Sequence, residues 1–313
     1  MTIAFTFPGQ GSQAVGMGKD LADTYPEAAA VFEEVDAALG EKLTDTMWNG
    51  PADALTLTAN AQPALMAVSL AAMRVLEARG LDLAASVSYV AGHSLGEYSA
   101  LAAAGSLSIA DAARLLRTRG RAMQEAVPVG EGAMAALLGL DLDAAAKVAA
   151  EAAEGAVCEV ANDNADGQVV ISGHRAAIER ALDIAKAAGA KRAVLLPVSA
   201  PFHCSLMAPA ADVMAEALAA VEIKAPKVPL IANVVAGPVS DAGQIRNNLV
   251  AQVTGSVRWR ESVAWLAGNG VGTLAEIGSG KVLSGLAKRI AKGVETVTVN
   301  GPADIDPLLA RLG

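Results

Sequence analysis

The sequence predicts an α/β protein: a mostly parallel sheet flanked by helices, with a smaller unit of different rhythm set into the chain. Three observations carry this. The 313 residues exceed one typical domain, and 53% are hydrophobic while only 3% are aromatic, so the core is mainly Ala, Leu and Val packing helices closely onto strands. Short apolar runs alternate with long helical periodicities, the pattern of strand–helix–strand crossovers. Between residues 132 and 198 that alternation gives way to a βαββαβ order.

In chain order, residues 3–7, 86–91, 228–234 and 273–277 read as strands of the main sheet. A helix is expected to open near Pro63, since proline suits a first turn, and to stop at Gly80. Another opens at Ser108, with Asp111 three residues on as an approximate capping box, and ends before Pro128. The smaller unit runs strand 133–140, helix 142–153, two strands joined by the turn Asn164-Ala165-Asp166-Gly167, helix 175–188 and strand 192–196. This order matches a ferredoxin-like fold. The expected organisation is a large domain of residues 1–127 and 198–313 and an inserted ferredoxin-like domain of residues 128–197.

The segment Val90-Ala91-Gly92-His93-Ser94-Leu95-Gly96-Glu97 places a serine between two glycines, after an apolar run and before a helix expected over 97–104. That spacing is a nucleophile elbow, which makes the large domain α/β-hydrolase-like. The glycines are small where a side chain would collide, and the Ser94 hydroxyl is left at the tip. The first N–H groups of the following helix would favour an oxyanion there.

A serine nucleophile needs a base, and the chain has three histidines. His93 adjoins Ser94, so its side chain points away from the serine's and suits a hydrogen-bonded wall. His174 opens a helix of the smaller unit, where a cap or surface role fits. His203 follows Pro197 and Pro201, which hold an extended path at the junction between the two domains, and is the leading general base.

On the helix after Ser108, about 100° per residue puts Ala112, Leu115, Leu116, Met123 and Ala126 in one apolar stripe, with Arg119 near its middle. Arg114, Arg117 and Arg121 point the other way, as solvated charges. An inward Arg119 needs an anion. That anion is either a buried Asp or Glu or a substrate carboxylate held by two parallel hydrogen bonds. With a serine nucleophile, the second option implies transfer of an acyl chain ending in a carboxylate.

A net charge of −9 with no basic run excludes a general nucleic-acid binder. Cys158 and Cys204 lack metal-ligand spacing and are too few for a disulfide framework, which points to a reducing compartment and no metal. The first apolar run breaks at Pro8-Gly9, too short for a signal-peptide core. The apolar helix stretch 64–73 falls short of the roughly 20 residues that span a bilayer, so a cytoplasmic location without a membrane partner is expected.

Taken together, the chain resembles the malonyl-CoA:acyl-carrier-protein transacylase family of bacterial fatty-acid synthesis nearly end to end. The matching residues are FPGQGSQ at 7–13, Gln62-Pro63-Ala64, Gly92-His93-Ser94-Leu95-Gly96, Arg119-Gly120 with Met123-Gln124, GQVV at 167–170, Phe202-His203 and EIGSGKVL at 276–283. The resemblance implies ping-pong transfer of malonyl from malonyl-CoA, through a malonyl-serine, to the phosphopantetheine thiol of holo acyl carrier protein. No cofactor is tightly bound: coenzyme A is part of the substrate, and phosphopantetheine is carried by the partner. The resemblance makes Ser94 the nucleophile, His203 its base and Arg119 the carboxylate clamp. It also makes the backbone N–H groups of Gln10 and Leu95 the oxyanion hole, and the backbone carbonyl of Gln252 the group that orients His203. There is no acidic third member, and no Asp or Glu between Ser94 and His203 stands out in the sequence as one. Met123, Phe202 and Asn164 carry over as substrate-binding positions, although Asn164 reads equally well as turn chemistry. Leu95 and Phe202 imply malonyl over methylmalonyl, and Phe202 replaces the serine common in the bacterial family. The family's carriers are acidic, as is this chain, so docking needs a local basic patch, with Lys191-Arg192 and Lys288-Arg289 as candidates. A monomer is expected, a state no residue pattern fixes.

Four rival readings are weaker. Gly9-Gln10-Gly11-Ser12-Gln13-Ala14 satisfies the dinucleotide-binding spacing, but Glu33, Glu34 and Asp36 sit in a helical pattern rather than closing a second strand. Gly278 to Lys281 likewise misses the phosphate-loop rule, with Ala275 and Val282 at its other required places. A serine esterase or thioesterase shares Ser94 and His203 and differs in taking water as acceptor. A non-catalytic carrier-binding scaffold would take no acyl label.

Overall fold

A computed structural model describes residues 2–313. Its ten strands are β1 (Thr2–Phe7), β2 (Tyr89–Gly92), β3 (Gly132–Leu138), β4 (Cys158–Ala165), β5 (Gln168–His174), β6 (Arg192–Leu195), β7 (Leu230–Ala232), β8 (Gly237–Val239), β9 (Val271–Ile277) and β10 (Glu295–Val299). Six form one sheet in the order β10-β9-β1-β2-β7-β8, parallel throughout except for the β7–β8 hairpin. The other four form an antiparallel sheet in the order β4-β5-β3-β6. The architecture is thus mixed α/β, with a mostly parallel sheet and a separate antiparallel one.

Alternation along β1 explains the layering of the large sheet. Ile3, Phe5 and Phe7 face one core, shared with the helices Thr58–Ala78 and Ile109–Glu125, while Ala4 faces a second layer with Trp259, Val263 and Leu274. The antiparallel sheet has its own core, where Leu137 and Ile171 of the strands pack with Val148 of the helix Leu142–Ala153 and Ile178 of the helix Arg175–Ala187. A seam ties the antiparallel sheet to the segment that enters the helix Trp259–Gly268: the Asp163 N–H donates to the Val257 carbonyl (3.0 Å), the Val257 N–H donates to the Ala161 carbonyl (2.9 Å), and Arg260 pairs with Asp163 (2.8 Å). This seam carries the end of β4 toward the carboxyl end of β2.

The structure departs from the sequence reading at four places. The helix expected from Pro63 begins at Thr58, leaving Pro63 inside it. Proline there forfeits only the bond to the Ala59 carbonyl. A close crossing holds the added turn, since a Cβ on Gly120 would lie 2.6 Å from the Ala59 Cα. Residues 83–86 form a short helix capped by Asp82, so the strand expected from Ser86 starts at Tyr89. The strand expected over 228–234 shortens to Leu230–Ala232. The sheet also gains β8 and β10, both at its edges, where brevity or half-exposed side chains blur the alternation.

At the carboxyl end of β2 the chain reverses into the helix Gly96–Ala103, and two glycines allow it. A Cβ on Gly92 would lie 1.9 Å from the Gly96 carbonyl oxygen, and one on Gly96 would lie 2.2 Å from that of Phe7. Both obstacles are backbone, which cannot swing aside. Gly285 is the contrast: it is exposed within the helix Val282–Ile290 and has open space around its Cβ position. In denaturant melts, Gly96→Ala should therefore lose about 3 kcal/mol or more, and Gly285→Ala should gain about 0.5–1 kcal/mol. Equal effects at the two positions would mean that the elbow is not sterically fixed.

Candidate active site

Ser94 sits at the reversal with φ 53°, a left-handed conformation that costs a non-glycine residue about 1–2 kcal/mol. Asn233, just after β7, holds it there. Its Oδ1 accepts from the Ser94 N–H (2.8 Å), and its Nδ2 donates to the Gly92 carbonyl (2.7 Å). The Ser94 hydroxyl donates to His203 Nε2 (2.7 Å), and His203 Nδ1–H donates to the Gln252 backbone carbonyl (2.9 Å), with the Gly255 carbonyl at 3.2 Å. The carbonyl thus selects the tautomer whose Nε2 lone pair faces the serine. Burial, and then the Arg119 charge, push the His203 pKa down to about 3, so the imidazole is neutral at physiological pH.

Arg119 is 1% exposed. Its Nη1 donates to Gln62 Oε1 (2.8 Å), and its Nη2 donates to Gln252 Oε1 (2.9 Å) and to Ser94 Oγ (3.1 Å). All three acceptors are neutral. Among the described residues no carboxylate pairs with Arg119, and its Nε has no partner. The buried Asp or Glu partner left open by the sequence is therefore not in contact; amide oxygens take that place. The guanidinium also lies 5.9 Å from the centre of the Tyr98 ring.

Ser94, His203, Arg119 and Gln62 line a cavity of about 350 Å³, together with Gln10, Leu95, Met123, Asn164 and Phe202. Among the described residues the backbone N–H groups of Gln10 and Leu95 have no acceptor, and Leu95 immediately precedes the helix Gly96–Ala103. The Gln10 side chain accepts from Thr58 Oγ1 (2.9 Å), which accepts from Gln62 Nε2 (2.9 Å), so Gln10 is linked to the amide that also holds Arg119. Met123 accepts from Gln62 Nε2 through its sulfur at 3.9 Å. His93 Nε2–H donates to Asn164 Oδ1 (2.8 Å), so the pair forms part of the cavity wall and His93 does not pair with Ser94 as a second base. Asn164 therefore belongs to the cavity as the penultimate residue of β4, and the turn follows it.

Two sequence expectations are corrected. Arg117 is not a solvated charge: it is buried against Asn60 and Glu41, because the preceding helix Pro26–Leu39 and its exit loop cover that face. His174 occupies a cap position but does not cap its helix; its Nδ1 accepts from the Val157 N–H (3.0 Å) and ties β5 to the start of β4. Of the basic pairs, Arg289 is committed to Gln168 Oε1 (2.6 Å) and the Asp166 carbonyl (3.1 Å).

Three contributions escaped the sequence reading. Asn233 was legible only as a polar residue closing an apolar strand, the end of a parallel sheet where sites gather. The Gln252 side chain joins Arg119 to Glu97, its Nε2 donating to Glu97 Oε2 (2.8 Å) and to the Ser94 carbonyl (3.1 Å). Glu97 itself is buried behind the elbow and also accepts from the Asn233 N–H (3.0 Å). Its signal was a lone acid opening an otherwise apolar helix. It does not touch His203. Burial raises its pKa to about 7 against the lowering effects of those two hydrogen bonds and of Arg119.

The constellation suits acyl transfer: a hydroxyl paired with a neutral imidazole, free N–H groups beside it, and a cation reserved for an anion. Among the described residues no group of three His, Cys, Asp or Glu side chains could hold a metal ion, and no helix is long and apolar enough to cross a membrane.

Comparison with known proteins agrees. Residues 4–302 match the acyl transferase domain family. A malonyl CoA-acyl carrier protein transacylase of Salmonella typhimurium is 49% identical over 309 residues, 99% of either chain. The crystal structure of an acyl-carrier-protein-S-malonyltransferase from Bartonella henselae is 59% identical and superposes with a TM-score of 0.98 over 100% of both chains. A malonyl-transacylase solved in complex with its type II PKS acyl-carrier protein is 44% identical, with a TM-score of 0.96 over 99% of this chain and 100% of that one.

The raised pKa of Glu97 has a signed consequence for stability. The folded state binds more protons than the unfolded one between the ordinary 4.5 and about 7, so this contribution is full below 4.5 and is lost as pH rises through 7. Glu97→Gln removes the dependence while the histidines stay common to both proteins. The stability of the variant relative to the native protein should rise across that window by on the order of 3 kcal/mol in denaturant titrations. Parallel pH profiles would contradict it.

Proposed function

From the premise that the chain belongs to the malonyl CoA-acyl carrier protein transacylase family of acyl transferases, we propose that it moves a malonyl group from coenzyme A to the phosphopantetheine thiol of holo acyl carrier protein in fatty acid biosynthesis. One observation carries the reading: Ser94 Oγ lies within hydrogen-bond reach of both a neutral imidazole, at 2.7 Å, and a guanidinium that has no carboxylate partner, at 3.1 Å.

His203 takes the Ser94 proton as Oγ attacks the thioester carbon, and the N–H groups of Gln10 and Leu95 receive the oxyanion. The carbon–sulfur bond breaks, and the proton passes from His203 to the departing coenzyme A thiolate. In the second half, His203 accepts the proton of the phosphopantetheine thiol, which attacks the ester; the proton returns to Ser94 as malonyl-carrier protein leaves. The Gln252 carbonyl keeps the imidazole in one tautomer throughout. Each step is served by side chains and backbone, so no resident cofactor is required.

Arg119 provides the selection. The malonyl carboxylate replaces neutral amide oxygens as its partner, whereas an acetyl group leaves the charge without one. The docked carboxylate also offsets the Arg119 charge, which after burial is the next cause of the low His203 pKa, so the base strengthens when the correct acyl group is bound. Met123, Phe202 and Asn164 shape the remaining wall, and Phe202 with Leu95 favours an unbranched malonyl group.

The separate core and the strand order β4-β5-β3-β6 support an inserted ferredoxin-like domain of residues 128–197 within an α/β-hydrolase-like domain of residues 1–127 and 198–313. Ser94, His203 and Arg119 meet within one chain, so these three need no partner subunit to assemble them, and a monomer is the working unit of this reading. The buried free thiols of Cys158 and Cys204 fit a reducing, cytoplasmic setting.

Intact-mass analysis after incubation with malonyl-CoA should show one malonyl group on the native protein and none on Ser94→Ala; a label persisting on the variant would refute the nucleophile. Arg119→Ala should lower malonyl transfer by roughly 100-fold while changing acetyl transfer far less. Equal losses for both acyl groups would make Arg119 a structural residue.

A further inference from the structure

Glu97 is the titratable group beside the site that the transfer steps leave unused. It rises from the first turn of the helix behind Ser94, and Oε2 accepts from both the Asn233 N–H (3.0 Å) and Gln252 Nε2 (2.8 Å). Those bonds fix which end of the Gln252 amide faces Glu97, so the opposite end, Oε1, faces Arg119 Nη2 at 2.9 Å. A single amide thus separates a buried carboxyl from the buried guanidinium. The second carboxyl oxygen of Glu97, Oε1, is buried with no hydrogen-bond partner among the described residues.

We propose that Glu97 is the proton partner of Arg119: it shares the buried charge of the guanidinium when the cavity holds no anion, and takes up a proton when a substrate carboxylate docks on Arg119. The inference rests on the malonyl-transfer reading and deepens it, because it assigns the electrostatic counterpart of the substrate anion.

The neighbouring groups leave these two charges to balance each other. Tyr98, on the same helix, is pushed up by burial and stays neutral. His203, beyond the Gln252 backbone, and His93, beside the elbow, are both pushed down by burial and stay neutral. Arg119, from the helix packed alongside, is the remaining cation and favours the Glu97 carboxylate. A substrate carboxylate on Arg119 adds a second anion to a site of low polarity and withdraws that support. The unpartnered Glu97 oxygen is where a proton relieves the excess. Before substrate arrives the group already titrates near neutrality, at about 7, so a modest push changes its occupancy.

Acylation itself is neutral in protons. The Ser94 O–C bond forms, the thioester C–S bond breaks, and the serine proton leaves on the coenzyme A thiol, which stays protonated at neutral pH. Any proton consumed therefore reports an enzyme group. The experiment mixes the protein with malonyl-CoA or acetyl-CoA in weakly buffered solution containing a pH indicator, and measures intact mass on the same samples. With malonyl-CoA the native protein should take up a fraction of a proton per acyl-enzyme, largest near pH 7 and fading about two pH units to either side. With acetyl-CoA it should take up none. Glu97→Gln keeps one oxygen able to accept both hydrogen bonds, so it should still be malonylated but without proton uptake. Complete malonylation of the native protein with no uptake, uptake that does not vary with pH, or equal uptake in Glu97→Gln would overturn the proposal. If the variant does not fold, the pH course of the native protein and its acetyl control decide alone. Failure of the native protein to be malonylated at all would instead defeat the transfer reading.

Discussion

A guanidinium buried without a carboxylate is the constraint around which this structure is organised. Burying a lone charge is costly, and proteins ordinarily place an Asp or Glu against it. Here Arg119 meets two amide oxygens and the Ser94 hydroxyl instead. Neutral acceptors hold the side chain in place and keep the nearest carboxyl, Glu97, one amide away from it. The cavity therefore offers an anion a place within hydrogen-bond distance of the Ser94 hydroxyl, and on the proposed function that place makes a general serine–histidine pair selective.

The surrounding fold serves that placement. The parallel sheet brings the ends of β1, β2 and β7 together, and with them Gln10, Ser94 and Asn233. The helix Ala242–Thr254 then supplies Gln252, whose backbone carbonyl orients His203 while its side chain bridges Arg119 and Glu97. One residue thus couples the base, the cation and the carboxyl behind the elbow. The tight glycines at 92 and 96 matter for the same reason: a shift of the elbow by the width of a methyl group would separate Ser94 from both partners.

Much of this was legible in the sequence because it rests on local rules. The strand–glycine–serine–glycine–helix order marks the elbow, and helical periodicity turns Arg119 inward. The turn between β4 and β5 and the capped helix start at Ser108 were likewise readable. What was missed depends on contacts distant in the chain. Asn233 lies 139 residues from the serine it holds. Arg117 looked solvated because nothing local shows that Asn60 and Glu41 cover it. Pro63 looked like a helix start because the packing of Gly120 on the preceding turn is invisible to propensity. Glu97 escaped because an acid in a first helical turn is usually a surface residue that complements the helix dipole.

On the proposed function Arg119, which has no carboxylate against it, receives the free carboxylate of the acyl group carried to Ser94. Competition tests it most directly: the native protein is mixed with equal concentrations of malonyl-CoA and acetyl-CoA, and the acyl group on the Ser94 peptide is identified by mass. Malonyl should occupy nearly all of the labelled serine. Comparable occupancy by acetyl, or a label on another residue, would contradict it.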